Sequence, residues 1–227
     1  DAKGHEIISP NGTPLQMRFN YPTSNYQFVP GDAMYEDINH DGNINFQDVV
    51  YLGNGSPDFT GGFGPTITYK GKFTLTPYFN YRLGGQVING TKISTTNLSG
   101  FNNQSTAVLR RWRTSGDVTD IPRAVIGSGY GTLGNYNSLG SDRYVENDSF
   151  LRLGSITARY NFSKQTANLI KAKSLNVYVT LQNILTFTNY TGQDPEVPTG
   201  GGIYQIAQDN STTPPLKQYT IGLSASF

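Results

Sequence analysis

From Phe63 onward the chain falls into runs in which apolar and polar positions alternate. Phe63, Ile67 and Tyr69 share one parity against Thr66, Thr68 and Lys70. After the tight turn at Lys70-Gly71, Phe73, Leu75, Phe79, Tyr81 and Leu83 oppose Thr74, Thr76, Asn80 and Arg82. A third run over Ser149–Phe162 sets Ile156, Ala158, Tyr160 and Phe162 against Thr157, Arg159 and Asn161. In a fourth, Leu175, Val177, Val179, Leu181 and Leu185 oppose Asn176, Thr180, Gln182 and Thr186. The last sets Tyr219, Ile221, Leu223, Ala225 and Phe227 against Gln218, Thr220, Gly222, Ser224 and Ser226. Successive side chains of a strand point to opposite faces, so the pattern predicts five strands, each with one apolar and one polar face.

The connections between these runs are unequal. Lys70-Gly71 and residues 163–174 are short, the latter with room for one helical turn. Residues 84–148 and 187–214 are long and polar. Residues 1–30 show no sustained period, apart from a short strand expected at Leu15–Tyr21, and Gly53–Gly64 is rich in turn formers. A soluble sandwich or barrel, the competing reading, turns about every 8–12 residues. Here the runs are long enough to cross a bilayer, which takes about 9–11 tilted residues. Short turns on one side and long loops on the other belong to outer-membrane barrels. Phe63, Phe150, Phe162, Phe187, Tyr190 and Phe227, near strand ends, suit the aromatic girdles of such a barrel. In that topology the C-terminus is periplasmic, and the loops 84–148 and 187–214 are extracellular.

Composition agrees with an all-β chain. The sequence holds 26 Gly, 15 Tyr and 12 Phe, which favours strands and turns over helices. A mean hydropathy of −0.43 fits a membrane barrel, because half of its strand residues face water. The net charge of +1 supplies no bulk field for nucleic acid. There is no cysteine, hence no disulfide or thiol chemistry, and the only histidines are His5 and His40. No nucleophile–base pair is in view, so no catalytic residue is assigned and an enzyme is not expected. Gly129-Tyr-Gly131-Thr-Leu-Gly134 has the letters of a dinucleotide fingerprint but no strand-turn-helix context. Arg110-Arg111-Trp112-Arg113 reads as a loop anchored by its Trp against a basic rim.

One stretch carries candidate metal chemistry. Oxygen side chains fall at Asp37, Asn39 and Asp41, the first, third and fifth positions of a calcium loop. Gly42 takes the sharp turn at position six, and Asn43 would offer its carbonyl at position seven. Ile44 is the apolar anchor, Asn45 could act through water, and Asp48 closes the loop at position twelve. Aspartate there is one methylene shorter than the usual glutamate, so bidentate closure needs a nearer backbone. The alternative is an Asx-rich turn without metal. Pro30 and Gly31 argue against a flanking helix and thus against a paired EF-hand.

Several stretches together resemble one family. They are Gly31-Asp32 with Glu36-Asp37-Ile-Asn39-His-Asp41-Gly42, Gly53-Asn54, and Pro57-Asp-Phe59-Thr-Gly-Gly-Phe63-Gly64. Further along come Tyr69-Lys-Gly71, Val145-Glu-Asn-Asp-Ser-Phe150-Leu-Arg152-Leu153, and Tyr160-Asn-Phe162. Last are Val177-Tyr-Val179, Gln182-Asn183-Ile-Leu-Thr186-Phe187-Thr188, Tyr190-Thr-Gly192, Asp194-Pro195-Glu196 and the strand ending at Phe227. The chain resembles, over residues 31–227, the C-terminal region of SusC/RagA-type TonB-dependent outer-membrane transporters of the Bacteroidetes. The resemblance implies an outer-membrane barrel of about 22 strands with a plug. It implies import of oligosaccharides or peptides, with a SusD-like lipoprotein outside and the TonB complex acting through the plug. Residues 63–227 would be the last five membrane strands. Residues 1–62 would be an extracellular region holding the calcium loop 37–48. Thr74, Asn80, Arg82, Arg159, Asn176 and Gln182 would face the lumen. Five strands cannot close such a barrel, so a fragment is expected, with the rest of the barrel and plug, outer-membrane lipid and the lipoprotein as partners. A passive outer-membrane channel or surface barrel, and a soluble calcium-stabilised binding module, are the other readings.

Overall fold

The structure is a computed structural model that describes residues 18–21, 24–125, 133–196, 207–211 and 213–227. Leu15–Met17 of the expected first strand, residues 129–132 of the glycine fingerprint and residues 197–206 of the last long loop lie outside the described residues. The contacts divide the chain into two compact units, one holding the described residues before Gly53 with Asn89–Tyr144, the other Gly53–Ile88 with Val145–Phe227.

In the first unit β1 (Arg18–Tyr21) pairs antiparallel with β2 (Ser24–Gln27) and parallel with the two-residue β3 (Asn43–Ile44). Residues 89–144, which show little period in sequence, carry the short helix α1 (Gly90–Thr96) and several 3₁₀ turns. Asn89 caps α1 by accepting from Lys92 N at 2.8 Å. Elements of one or two turns leave no repeating stripe, which is why periodicity did not reveal them.

The second unit is built on a sheet in the order β12-β10-β9-β6-β4, with β5 also on β6. These strands are β4 (Phe59–Phe63), β5 (Ile67–Tyr69) and β6 (Phe73–Leu83). A three-residue β8 (Val145–Asn147) runs into the region of β9 (Phe150–Asn161). The short helix α2 (Lys164–Asn168) leads to β10 (Ser174–Thr188), and β12 (Gln218–Ser226) ends the sheet. All pairings in this sheet are antiparallel. β4 and β5 act as one interrupted strand. Pro77, which has no N–H to give, stands opposite the break between them. A second, three-stranded sheet has the order β11-β7-β8, with β7 (Gln86–Asn89) in the middle and β11 (Gln208–Asp209) at one edge. Val87, Tyr190 and Ala207 form its buried cluster.

Cross-strand partners share a face, so the ladder registers show how the two faces are built. One row runs Tyr69, Phe73, Tyr160, Val177, Leu223, and the next Ile67, Leu75, Ala158, Val179, Ile221. The opposite face carries Thr76, Thr157, Thr180 and Thr220 in one row, and Thr68, Thr74, Arg159, Tyr178 and Gly222 in another. The strand that begins at Phe59 rather than Phe63 follows the same rule, since Phe59, Gly61 and Phe63 pair with Leu83, Tyr81 and Phe79.

The regularity depends on bulges. Leu153 pairs with Phe79 but Ser155 with Tyr78, so Gly154 is an extra residue on β9. Between Gln182 and Leu185, β10 carries one more residue still, and Asn183 there has φ 53°. Because Gly154 intervenes, Leu151 and Leu153 share the apolar face with Ile156, Ala158 and Tyr160, despite their opposite parity in sequence.

Candidate functional site

Among the described residues, nothing covers the apolar face of the large sheet. Tyr219 is 70%, Ile221 79% and Leu223 69% exposed, and Ile67, Tyr69, Phe63, Leu185 and Phe187 are exposed with them. No water-facing sheet gains from such a surface, whereas a lipid-facing one requires it. The six polar positions predicted for the other face all lie in its rows: Thr74 opposite Arg159, Asn80 opposite Arg152, Arg82 opposite Phe150, Asn176 opposite Asn161, and Gln182 opposite Ser155.

Two aromatics assigned to girdles are elsewhere. Phe150 is 4% exposed and on the polar face, between the Arg82 and Arg152 guanidiniums at 5.8 and 5.2 Å from its centroid. Tyr190 is buried and donates to Asp209 Oδ2 at 2.6 Å. Burial and the Asp209 carboxylate both push the Tyr190 hydroxyl pKa up. Phe63, Phe187 and Phe227 are exposed, as a girdle needs.

The long-loop end of the wall holds an ionic cluster that sequence reading did not assemble. Arg152 sits with its side chain 4% exposed. It donates from Nη2 to Asp194 Oδ1 at 2.5 Å, from Nη1 to Glu196 Oε2 at 2.9 Å and from Nε to Thr186 Oγ1 at 3.1 Å. Asp194 Oδ1 also accepts from Glu196 N at 2.8 Å. Arg82 Nη1 donates to the buried Asp148 at 3.0 Å. Burial raises the Asp148 carboxyl pKa, against the lowering effect of Arg82. Gly85 is needed beside it, with φ 92° and a would-be Cβ only 2.8 Å from Asp148 Oδ1. Arg152 and Asp194-Pro195-Glu196 both lie in stretches quoted for the resemblance, but 42 residues separate the bonded pair Arg152 and Asp194. Only the fold brings them together.

In the first unit Asp32 is the hub, with its side chain 1% exposed. It accepts from Arg123 Nε at 2.7 Å, Tyr26 Oη at 2.6 Å, Val29 N at 3.0 Å and Asn137 Nδ2 at 3.2 Å. Tyr26 stacks on Tyr136 at 4.5 Å. Gly31, with φ 90°, lies against Trp112, whose Cε3 would be 2.4 Å from a Cβ there. The Trp thus anchors a loop, and its neighbour Arg110 pairs with Asp120 at 2.7 Å on the surface.

The loop 37–48 is ordered by its own amides. Asp37, which is buried, accepts from Asp41 N at 3.2 Å and Gly42 N at 2.8 Å. Asn39 Oδ1 accepts from Asp41 N at 3.1 Å, and Asp41 Oδ1 from Asn43 N at 2.8 Å. That Asn43 amide, with weaker donation from the Asn39 and Asn43 side chains, holds the Asp41 carboxyl pKa below its ordinary range. Asp48 closes the loop by accepting from Ile38 N at 2.9 Å and Asn45 N at 2.8 Å. Asn45 accepts from Gln47 N at 2.8 Å, Gly42 has φ 84°, and Ile44 is buried. The donor set is wholly oxygen, as calcium requires. Among the described residues no three acidic or imidazole side chains converge on one point.

A sheet with an uncovered apolar face, a polar face and long loops at one end defines an outer-membrane barrel wall. No protein-family model matches the chain. It is 32% identical over 203 residues to TonB-dependent receptor P26 of Formosa agariphila, covering 88% of this chain and 20% of that protein. It is 28% identical over 207 residues to TonB-dependent receptor SusC of Bacteroides thetaiotaomicron, covering 87% and 18%. The solved RagAB peptide transporter has the same fold over 98% of this chain and 24% of its own, with TM-score 0.65 at 24% identity. The chain carries barrel-wall strands of a SusC/RagA-type TonB-dependent receptor, an outer-membrane protein of a family of receptors rather than enzymes. It spans about a fifth of the length of the curated relatives it matches.

Proposed function

We propose that the chain supplies wall strands and extracellular loops to a transporter that imports oligosaccharides or peptides across the outer membrane. A SusD-like lipoprotein would capture the solute outside, and the TonB complex would act through a plug belonging to the rest of the receptor. The observation that supports this reading is the division of one sheet into an uncovered apolar face and a threonine- and arginine-lined face. The same apolar face counts against a soluble binding module. With the short turns periplasmic, the ionic cluster of Arg152 and the loop 37–48 would both be extracellular. Deleting the gene for the full receptor should abolish growth on one class of oligosaccharide or peptide, and the tagged receptor should copurify with a lipoprotein. Undiminished growth on every such nutrient, with uptake independent of TonB, would instead favour a passive channel.

We also propose that the loop 37–48 takes calcium. Asp37, Asn39, Asp41 and Asp48 would hold it, with the Asn43 carbonyl and with Asn45 through water. The Asp37 and Asp48 oxygens each accept one amide and keep a second lone pair, whereas Asp41 Oδ1 accepts from both Asn43 N and Asn43 Nδ2. The ion would supply charge that offsets the carboxylates of Asp37, Asp41 and Asp48 as the loop closes on it, at the roughly 0.1–1 mM affinity common outside cells. Calcium should slow protease cleavage of residues 37–48, and chelator or Asp41→Ala should reverse that. Equal protection in all three states would leave an Asx-turn loop without metal.

A further inference from the structure

The polar face of the wall contains a prepared cation. Thr74, Arg159, Tyr178 and Gly222 are direct cross-strand neighbours in one row. Gly222 lets Tyr178 lie across β12, since a Cβ there would come 2.2 Å from the ring Cζ. The Arg159 guanidinium stands over that ring, 5.8 Å from its centroid. Beside it is a recess of about 220 Å³ lined by Thr74, Thr76, Thr157, Arg159 and Asn161. Thr157 and Thr180 bond to each other at 2.9 Å, which directs part of the hydroxyl ladder inward on itself. In the three rows from Thr74 to Tyr78, Arg159 is the one charged side chain. The other two arginines of this face are both held by carboxylates of the chain. Among the described residues Arg159 has no ion pair.

We propose that Arg159 receives an acidic side chain from the part of the receptor outside this chain. A guanidinium has five donors in a planar fork that matches a carboxylate, and an aromatic ring beneath it fixes its plane. Arg159 is exposed on this face, so its guanidinium is open to such a partner. About four-fifths of the curated relatives' length lies outside the matched region, which is ample chain to provide one. Arg159 is two residues from the end of β9, at the short-turn end, away from the long loops where a solute would first enter. An internal partner therefore fits better than a carboxylate on the solute. This rests on the proposed function only in placing the rest of the receptor inside the wall.

Zero-length carbodiimide coupling tests the contact in the full receptor. In R159K, the new amine should couple to one acidic residue outside residues 1–227, identified by mass spectrometry of the joined peptides. Coupling that appears only when an acidic solute is added, or no coupling at all in an assembled receptor, would overturn the proposal. Should R159K fail to assemble, the wild-type receptor is treated with an arginine-selective dicarbonyl. Arg159 should then react at least tenfold more slowly in the folded receptor than in the denatured one, and equal rates would overturn the proposal. Uptake is read separately, so a receptor that couples at R159K yet imports nothing would refute the import reading alone.

Discussion

Arg152 shows what a single buried charge does here. Its neighbours Asp194 and Glu196 differ in exposure, at 12% and 47% of their side chains, so they should differ in worth. Removing one partner of a buried pair costs about 3–5 kcal/mol, because the other charge is left desolvated. Arg152→Ala should approach that loss and open residues 189–196 to protease. Asp194→Asn should cost more than Glu196→Gln, which is screened by water and worth at most about 1 kcal/mol. Equal losses for the two acidic variants would show that Arg152 is held by packing alone. Asp148 gives a prediction of opposite sign to most carboxylates. Burial sets its native pKa above the unfolded value. The native state then holds the proton more tightly, and this contribution to stability is present in acid and lost as pH rises through the native pKa. Relative to Asp148→Asn, the wild type should gain stability as pH is lowered through that range, seen as a rising difference in urea midpoint. A falling difference would mean that Arg82 outweighs burial. Neither cluster was legible in sequence, because the partners of Arg152 and Arg82 are 34 to 66 residues away and carry no spacing signal.

At the level of elements, alternation was legible and its interruptions were not. β6, β10 and β12 follow the period closely, since a strand with lipid on one side and water on the other leaves little choice of residue. β9 breaks it at Gly154, a residue that in sequence looks like any strand glycine. The bulge has a consequence that a deletion can test. Removing Gly154 would carry Phe150–Leu153 to the opposite faces, so Arg152 would enter lipid and Leu151 and Leu153 the polar side. Deleting Gly154 should therefore abolish the heat-modifiable folded receptor, while deleting Gly116, in an exposed turn with open space around it, should leave it nearly unchanged. Normal assembly without Gly154 would show that the strands can re-register and that the bulge is incidental. The Asx-rich turn of residues 37–48 was legible for the converse reason. Its residues are consecutive and bond mainly to one another, so local chemistry alone shapes it.

For the molecule as a whole, the sheet has meaning only as part of a closed wall, because its two faces require two different solvents. Adjacent residues of β10 test this directly. Val179 lies in the central apolar row with Ala158 and Ile221, and Thr180 in the polar row with Thr157 and Thr220. An arginine on the lipid face near mid-bilayer costs about 2–4 kcal/mol, whereas on the lumen side it meets water and polar groups. Val179→Arg should thus sharply lower the yield of folded receptor in outer-membrane vesicles, and Thr180→Arg should fold like the wild type. The two variants share a strand, a neighbourhood and a side chain, so any difference between them reports the face alone. Equal yields would mean that the uncovered apolar surface is buried by protein rather than lipid. In that case the rest of the receptor would have to lie outside the wall, and the placement of a partner for Arg159 inside it would fall as well.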